Sequence, residues 1–175
     1  MKYIVGTGGF AREVYMILEA LNLKNDFGGF LEPDTVWEEH FKDRLIYGHK
    51  VFPQSSFQSN KHEAIIGIGD PKIREKVVHQ LPADTHYPSI IHPTAVISNY
   101  VKIGEGAIIT AGTIVTVDIE IGKQCQLNLL TTIGHDCIIG DYFTTAPDVN
   151  ISGICTFGDY IYFGTNSCVR QKISI

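Results

Sequence analysis

The sequence predicts an α/β N-terminal unit with a Rossmann-like parallel sheet, followed by a parallel β-helix of hexapeptide repeats. Three observations carry this reading. From Ile91 to Ile175 one register recurs every six positions without a slip, and twelve of its fifteen residues are Ile, Leu or Val. A second series lies four residues behind it, running from Ala95 through Cys125, Cys137 and Cys155 to Ile173, and is mostly small or β-branched. Before Ile91 the rhythm changes to apolar strand-like runs alternating with helical stretches and glycine-rich turns.

Composition agrees with a packed globular protein. The chain has 175 residues, 44% hydrophobic and 19% charged, which is enough apolar side chain for a core. Its formal charge is −5 and no basic block occurs, which argues against nucleic acid as the main partner. No apolar run reaches the length of about 18 residues that a membrane helix needs. Met1 to Val5 runs straight into a strand-like segment without a cleavable signal pattern. The four cysteines form no C-x-x-C pair, and a reduced, cytoplasmic protein is the expectation.

Taken in order, Lys2 to Val5 reads as a strand, followed by Gly6-x-Gly8-x-x-Ala11 and a helix to about Leu21. That glycine pattern suits a phosphate at a helix N-terminus: Gly6 allows the tight turn, and Gly8 lets an anion approach free N–H groups at the positive dipole end. Phe27 to Leu31 is a second strand, and Glu32 at its end stands where such folds place a ribose-binding acid. Ala64 to Gly69 is a third strand, after which Asp70 and Pro71 supply an N-cap and a first-turn proline for a helix through about Gln80. All three glycine-bearing loops therefore open on one carboxyl edge. Eighty-odd residues are few for a complete dinucleotide fold, so a mononucleotide or a nucleotide sugar is expected in preference to NAD. The junction falls near Leu81 to Ser89, giving units of 1–85 and 86–175.

In the second unit three hexapeptides make one eighteen-residue coil, with residues eighteen apart stacked about 4.8 Å from each other. Glycines at 104, 122, 140 and 158 are expected where the chain turns a corner. His135 falls at an outward position beside a corner, with Asp136 adjacent and Gly153 eighteen residues on. A base beside an acid and a backbone N–H is what acyl transfer asks for. His92 reads as structural, the inward cysteines as core filling, and a metal site is not expected because the surface shows one good histidine. Tyr100, Tyr142 and Tyr160 are read as outward residues at the same coil position along one corner and are expected to form a stripe buried between subunits.

The glycine-rich α/β unit, Ile91-His-Pro-Thr-Ala and Ile133-Gly-His-Asp-Cys-Ile-Ile-Gly140 together resemble the sialic-acid O-acetyltransferase-like sugar acyltransferases, which include UDP-4-amino-sugar N-acetyltransferases. The resemblance implies a left-handed coil, a homotrimer, and acetyl-CoA lying between neighbouring β-helices. It implies His135 as catalytic base with Asp136 behind it, and Gly153 as the N–H donor to the thioester carbonyl. Thr144 and Thr165, with Gly153, would contact acetyl-CoA, and Gly8, Gly9, Phe10, Glu32 and Gly69 would form the nucleotide-sugar pocket. Phe10 stands where histidine is common in that family, and Thr144 where some members have histidine. Such proteins usually continue for one or two further coils and a tail that helps hold CoA, so a continuation past Ile175 is expected. The function implied is N-acetylation of a nucleotide-linked amino sugar. The alternatives are O-acetylation on the same fold, a hexapeptide-repeat carbonic anhydrase, for which further coil histidines are lacking, and a non-catalytic trimeric scaffold.

Overall fold

The computed structural model describes residues 1–175. The N-terminal unit is a five-stranded sheet made of β1 (Lys2–Val5), β2 (Phe27–Glu32), β3 (Leu45–Ile46), β4 (His49–Pro53) and β5 (Glu63–Ile66). Its order is β3-β4-β2-β1-β5, parallel except for the β3–β4 hairpin. Helices α1 (Gly9–Ala20), α2 (Asp34–His40) and α3 (Pro71–Gln80) connect the strands. From β1 the chain moves to β2 and β4 on one side and later returns to β5 on the other. The carboxyl ends of β1 and β5 thus flank the point where strand order reverses, the place in open α/β sheets where ligands bind.

Local chemistry explains most of these elements. The apolar face of α1, Ala11, Val14, Tyr15, Ile17 and Leu18, is buried against Ile4, Phe27, Phe30 and Val51 of the sheet. Asp70 caps α3 as expected, its Oδ1 accepting the Ile73 N–H at 2.9 Å. Helix α2 and the β3–β4 hairpin were not apparent in the sequence. Their segment is short and polar, and Trp37 is its anchor, donating Nε1–H to the Val51 carbonyl at 2.9 Å.

From Ile90 onward the chain forms a left-handed β-helix with three faces of stacked parallel strands. The first face holds the strands beginning at Ile90, Ile108, Gln126, Thr144 and Tyr162; the second those beginning at Val96, Ile114, Thr132, Asn150 and Cys168; the third those beginning at Val101, Ile119, Ile138 and Thr156. Partners are eighteen apart throughout, as in Thr132↔Asn150 and Ile121↔Ile139. Both apolar series point inward and form one core that includes Ile109, Leu127, Ile133, Phe143 and Phe157. Cys125, Cys137 and Cys155 fill it, and burial pushes the Cys125 thiol up to about 12.

The corners differ from expectation. The residues that turn the chain lie at every sixth position from Gly106 to Lys172, all with positive φ, and only Gly106 and Gly112 among them are glycine. Elsewhere ordinary residues such as Leu130 and Ile154 accept a left-handed conformation that costs about 1–2 kcal/mol. Hydrogen bonds between coils hold them there. The glycines at 104, 122 and 140 have another cause. A Cβ on Gly104 would lie 2.5 Å from the Gly122 carbonyl carbon, and one on Gly122 or Gly140 would lie 2.6 Å from the next coil's. The stack closes only without side chains.

The α/β unit sits on the first face. Ile90 and Ile108, pointing outward from the coil, belong to the α/β unit's own core. Gln126 donates Nε2–H to the Ile66 carbonyl at 2.9 Å. Tyr142 and Tyr160 stack with centroids 5.4 Å apart, and the Tyr160 hydroxyl donates to Glu75 of α3 at 2.6 Å. The expected tyrosine stripe is therefore corrected. Tyr100 follows a strand of the second face while the other two follow the third, so they occupy different corners, and two of the three serve the junction within the chain.

Candidate functional site

His135 and Asp136 follow the strand Thr132–Ile133 at the corner between the second and third faces. His135 Nδ1 and Asp136 Oδ2 lie 2.6 Å apart, with both side chains about half exposed at 49% and 58%. A carboxylate only accepts, so in the neutral ring Nδ1 carries the hydrogen and Nε2 is left as a proton acceptor. Gly153 is stacked one coil on. A Cβ there would come within 2.8 Å of His135 Cε1 and Nε2, so glycine makes room for the ring. The Gly153 carbonyl accepts the Lys172 N–H, whereas its own N–H donates to nothing in the chain. A proton acceptor, an orienting carboxylate and an uncommitted N–H thus meet at one corner.

The carboxyl edge of the sheet forms a second constellation. Gly6 has φ +99° and its N–H donates to the Leu31 carbonyl, which sets the tight turn after β1. Gly8 and Gly9 are exposed at the start of α1, and a Cβ on either would meet nothing within 4 Å, so the chain leaves open space above the helix N-terminus. Glu32, ending β2, accepts the Thr7 hydroxyl at 2.6 Å, which brings it to the glycine loop. Phe10 is half-buried and packs against the α/β core. Gly69 ends the third loop and borders a cleft of about 530 Å³ lined also by Asp70, Pro71, Lys72, Tyr160 and Tyr162.

Two residues expected at acetyl-CoA do not join His135 within the chain. Thr165 is exposed, but it follows a strand of the first face and so lies at another corner. Thr144 is 4% exposed, and its hydroxyl accepts from Arg74 at 2.7 Å and donates to the Gly69 carbonyl at 3.3 Å. Its side chain is part of the junction, and the expected cofactor contact is corrected on that ground.

Arg74 itself was missed by sequence reading. It is 0% exposed and has no carboxylate partner; its guanidinium is satisfied by the carbonyls of Ile68, Gly69 and Tyr142 and by Thr144, while Nε is left without an acceptor. Burial lowers its pKa to about 10. The signal was present: Pro71, Arg74, Val77 and Leu81 share one helical face, and a charge on an apolar face is unusual.

Comparisons with known proteins agree with this architecture. The PglD N-terminal domain family matches residues 3–81. The GDP-perosamine N-acetyltransferase of Escherichia coli O157:H7 is 28% identical over 179 residues, covering 97% of this chain and 78% of that protein. WeeI from Acinetobacter baumannii AYE superimposes with a TM-score of 0.86 at 28% identity, over 98% of this chain and 81% of that one. PerB from Caulobacter crescentus, solved with CoA and GDP-perosamine, superimposes with a TM-score of 0.80 at 21% identity, over 99% and 90%. Residues 3–81 thus match the PglD N-terminal domain, and over nearly its whole length the chain is similar in sequence to a sugar N-acetyltransferase and in fold to WeeI and PerB.

Proposed function

We propose that the protein transfers the acetyl group of acetyl-CoA to the amine of a nucleotide-linked amino sugar, in the cytoplasm and as a homotrimer. The observation that carries this is the pairing of His135 with Asp136 over the uncommitted Gly153 N–H. The N-acetyltransferase relative, which aligns with nearly the whole chain, supports the substrate class.

The amine nitrogen attacks the thioester carbonyl carbon, forming the C–N bond. His135 Nε2 takes the proton that the nitrogen loses, and Asp136 holds the resulting imidazolium. The Gly153 N–H stabilises the oxyanion, a contribution typically of about 2.7–4 kcal/mol. The C–S bond then breaks and CoA leaves as the thiol, taking up the proton. Gly8, Gly9, Glu32 and Gly69 hold the nucleotide, with Phe10 shaping the α1 end of that pocket, and Thr165 contacts acetyl-CoA.

Topology supports the trimer. The α/β unit covers the first face, while His135 stands at the opposite corner, where the other two faces meet. One chain cannot bring its nucleotide edge to its own His135, so a neighbouring copy supplies one of them. Acetyl-CoA consumption against a panel of GDP-, UDP- and dTDP-linked amino sugars tests the proposal. Turnover of at least one amino sugar is expected, and its loss on replacing the amine by hydroxyl separates N- from O-transfer. Binding of acetyl-CoA without turnover of any sugar in the panel would contradict it.

A further inference from the structure

The loop from Ile68 to Asp70 carries a geometry that neither the fold nor the base–acid pair explains. Arg74 Nη1 donates to two successive carbonyls, Ile68 O at 2.8 Å and Gly69 O at 3.0 Å. Every peptide bond in the chain is trans, and in a trans peptide the carbonyl and the following N–H point in opposite directions. With both carbonyls drawn onto one buried nitrogen, the N–H groups of Gly69 and Asp70 point away from Arg74. Neither donates to any acceptor in the chain. Gly69 and Asp70 border the 530 Å³ cleft, a Cβ on Gly69 would meet nothing within 4 Å, and Lys72 stands on the same rim. The Asp70 carboxylate is engaged by the Ile73 N–H, as the cap of α3. Two adjacent outward N–H groups beside a cation form an anion-holding concavity.

A buried guanidinium without a counter-anion is a costly way to join two units, since an apolar residue of similar volume fills such a space without desolvating a charge. What the charge accomplishes here is the fixed direction of two peptides. Its other end, through Tyr142 O and Thr144 Oγ1, sets those peptides in register with the coil.

We propose that Arg74 is a positioning residue that holds the Gly69 and Asp70 N–H groups outward as a paired site for the diphosphate of the nucleotide sugar; the inference rests on the nucleotide-sugar reading above. The glycine loop after β1 and this loop after β5 follow neighbouring parallel strands, so both lie on one carboxyl edge of the sheet.

The test uses the full chain with Arg74→Met, which keeps volume but not charge, and Arg74→Lys, which keeps charge but not the fork. GDP, UDP, guanosine, uridine and acetyl-CoA are titrated calorimetrically into each. Loss of two N–H contacts to a charged group predicts diphosphate binding weakened by about tenfold or more in Arg74→Met. Nucleoside and acetyl-CoA binding should hold, and Arg74→Lys should restore part of the diphosphate affinity. Asp70 has φ −68°, which proline accepts, so Asp70→Pro deletes one N–H without a φ conflict. It should weaken diphosphate binding more than Asp70→Ala, which loses the same helix cap, and this comparison stands even if Arg74 variants fail to fold. Equal diphosphate affinity in folded Arg74→Met, or in Asp70→Pro and Asp70→Ala, would overturn the inference while leaving the nucleotide-sugar reading intact. No diphosphate binding by the unmodified chain would overturn both.

Discussion

His135 stands out in the sequence because hexapeptide coils place most outward positions beyond any role in the core, and an acid beside the ring is unneeded for packing. Arithmetic in steps of eighteen brought Gly153 to it, and the structure gives that stacking an atomic reason, since the ring occupies the volume a Cβ would take. Replacing His135 by Asn removes the proton acceptor while keeping a similar shape. We expect kcat lower by about 10²–10⁴, as for loss of a general base, with acetyl-CoA affinity little changed. Gly153→Ala should displace the ring and lower kcat on the order of 10² without adding any charge. Rapid-quench kinetics with calorimetry separate the two quantities, and unchanged kcat in Gly153→Ala would remove the close approach as a requirement. Thr144 was misread for a physical reason. Position in the repeat shows that a side chain points outward but not what covers it, and here the α/β unit does.

Periodicity made the elements of the second unit legible, because few architectures besides a β-helix sustain a strict six-residue register. What it could not show was which residue turns each corner: the left-handed conformation is imposed by coil stacking, and residues as unlike as Asp118, Tyr142 and Ile154 adopt it. The glycine column makes a stability prediction. Gly122→Ala would set a Cβ 2.5 Å from Asp141 Oδ1 and 2.6 Å from the Gly140 backbone, costing about 1–3 kcal/mol as an overpacked site. Gly164→Ala, with nothing within 4 Å, should leave the denaturant midpoint nearly unchanged. Equal midpoints for the two variants would contradict the close-contact argument. In the first unit, Lys2 at the start of β1 bridges Asp26 and Glu63 at 2.6 and 2.8 Å. Its hydrogen bond is the main cause holding both carboxyls below their ordinary values. A carboxyl with a lowered native pKa adds stability above the ordinary range, and that stability is lost as pH falls through the lowered value. Between about pH 5 and pH 3 the unmodified protein should therefore lose Tm more steeply than Lys2→Met. Parallel Tm curves would sink that reading.

At the scale of the whole molecule, the first face of the β-helix is consumed by the α/β unit, whereas His135 stands at the corner where the other two faces meet. Sequence reading found both constellations but set acetyl-CoA against Thr144, a residue that the junction hides; the side of the coil on which the α/β unit docks is a tertiary fact that no repeat pattern encodes. The proposed enzyme therefore works only when one chain's His135 meets another chain's nucleotide pocket. The most direct test mixes two inactive variants, His135→Asn and Gly8→Val, the second blocking the open space over α1, and assays hybrid trimers verified by mass. Activity should return in hybrids, at interfaces pairing an intact His135 with an intact glycine loop, while each parent variant stays inactive. Verified hybrids as inactive as their parents, or a His135→Asn protein that turns over at the unmodified rate, would contradict the account.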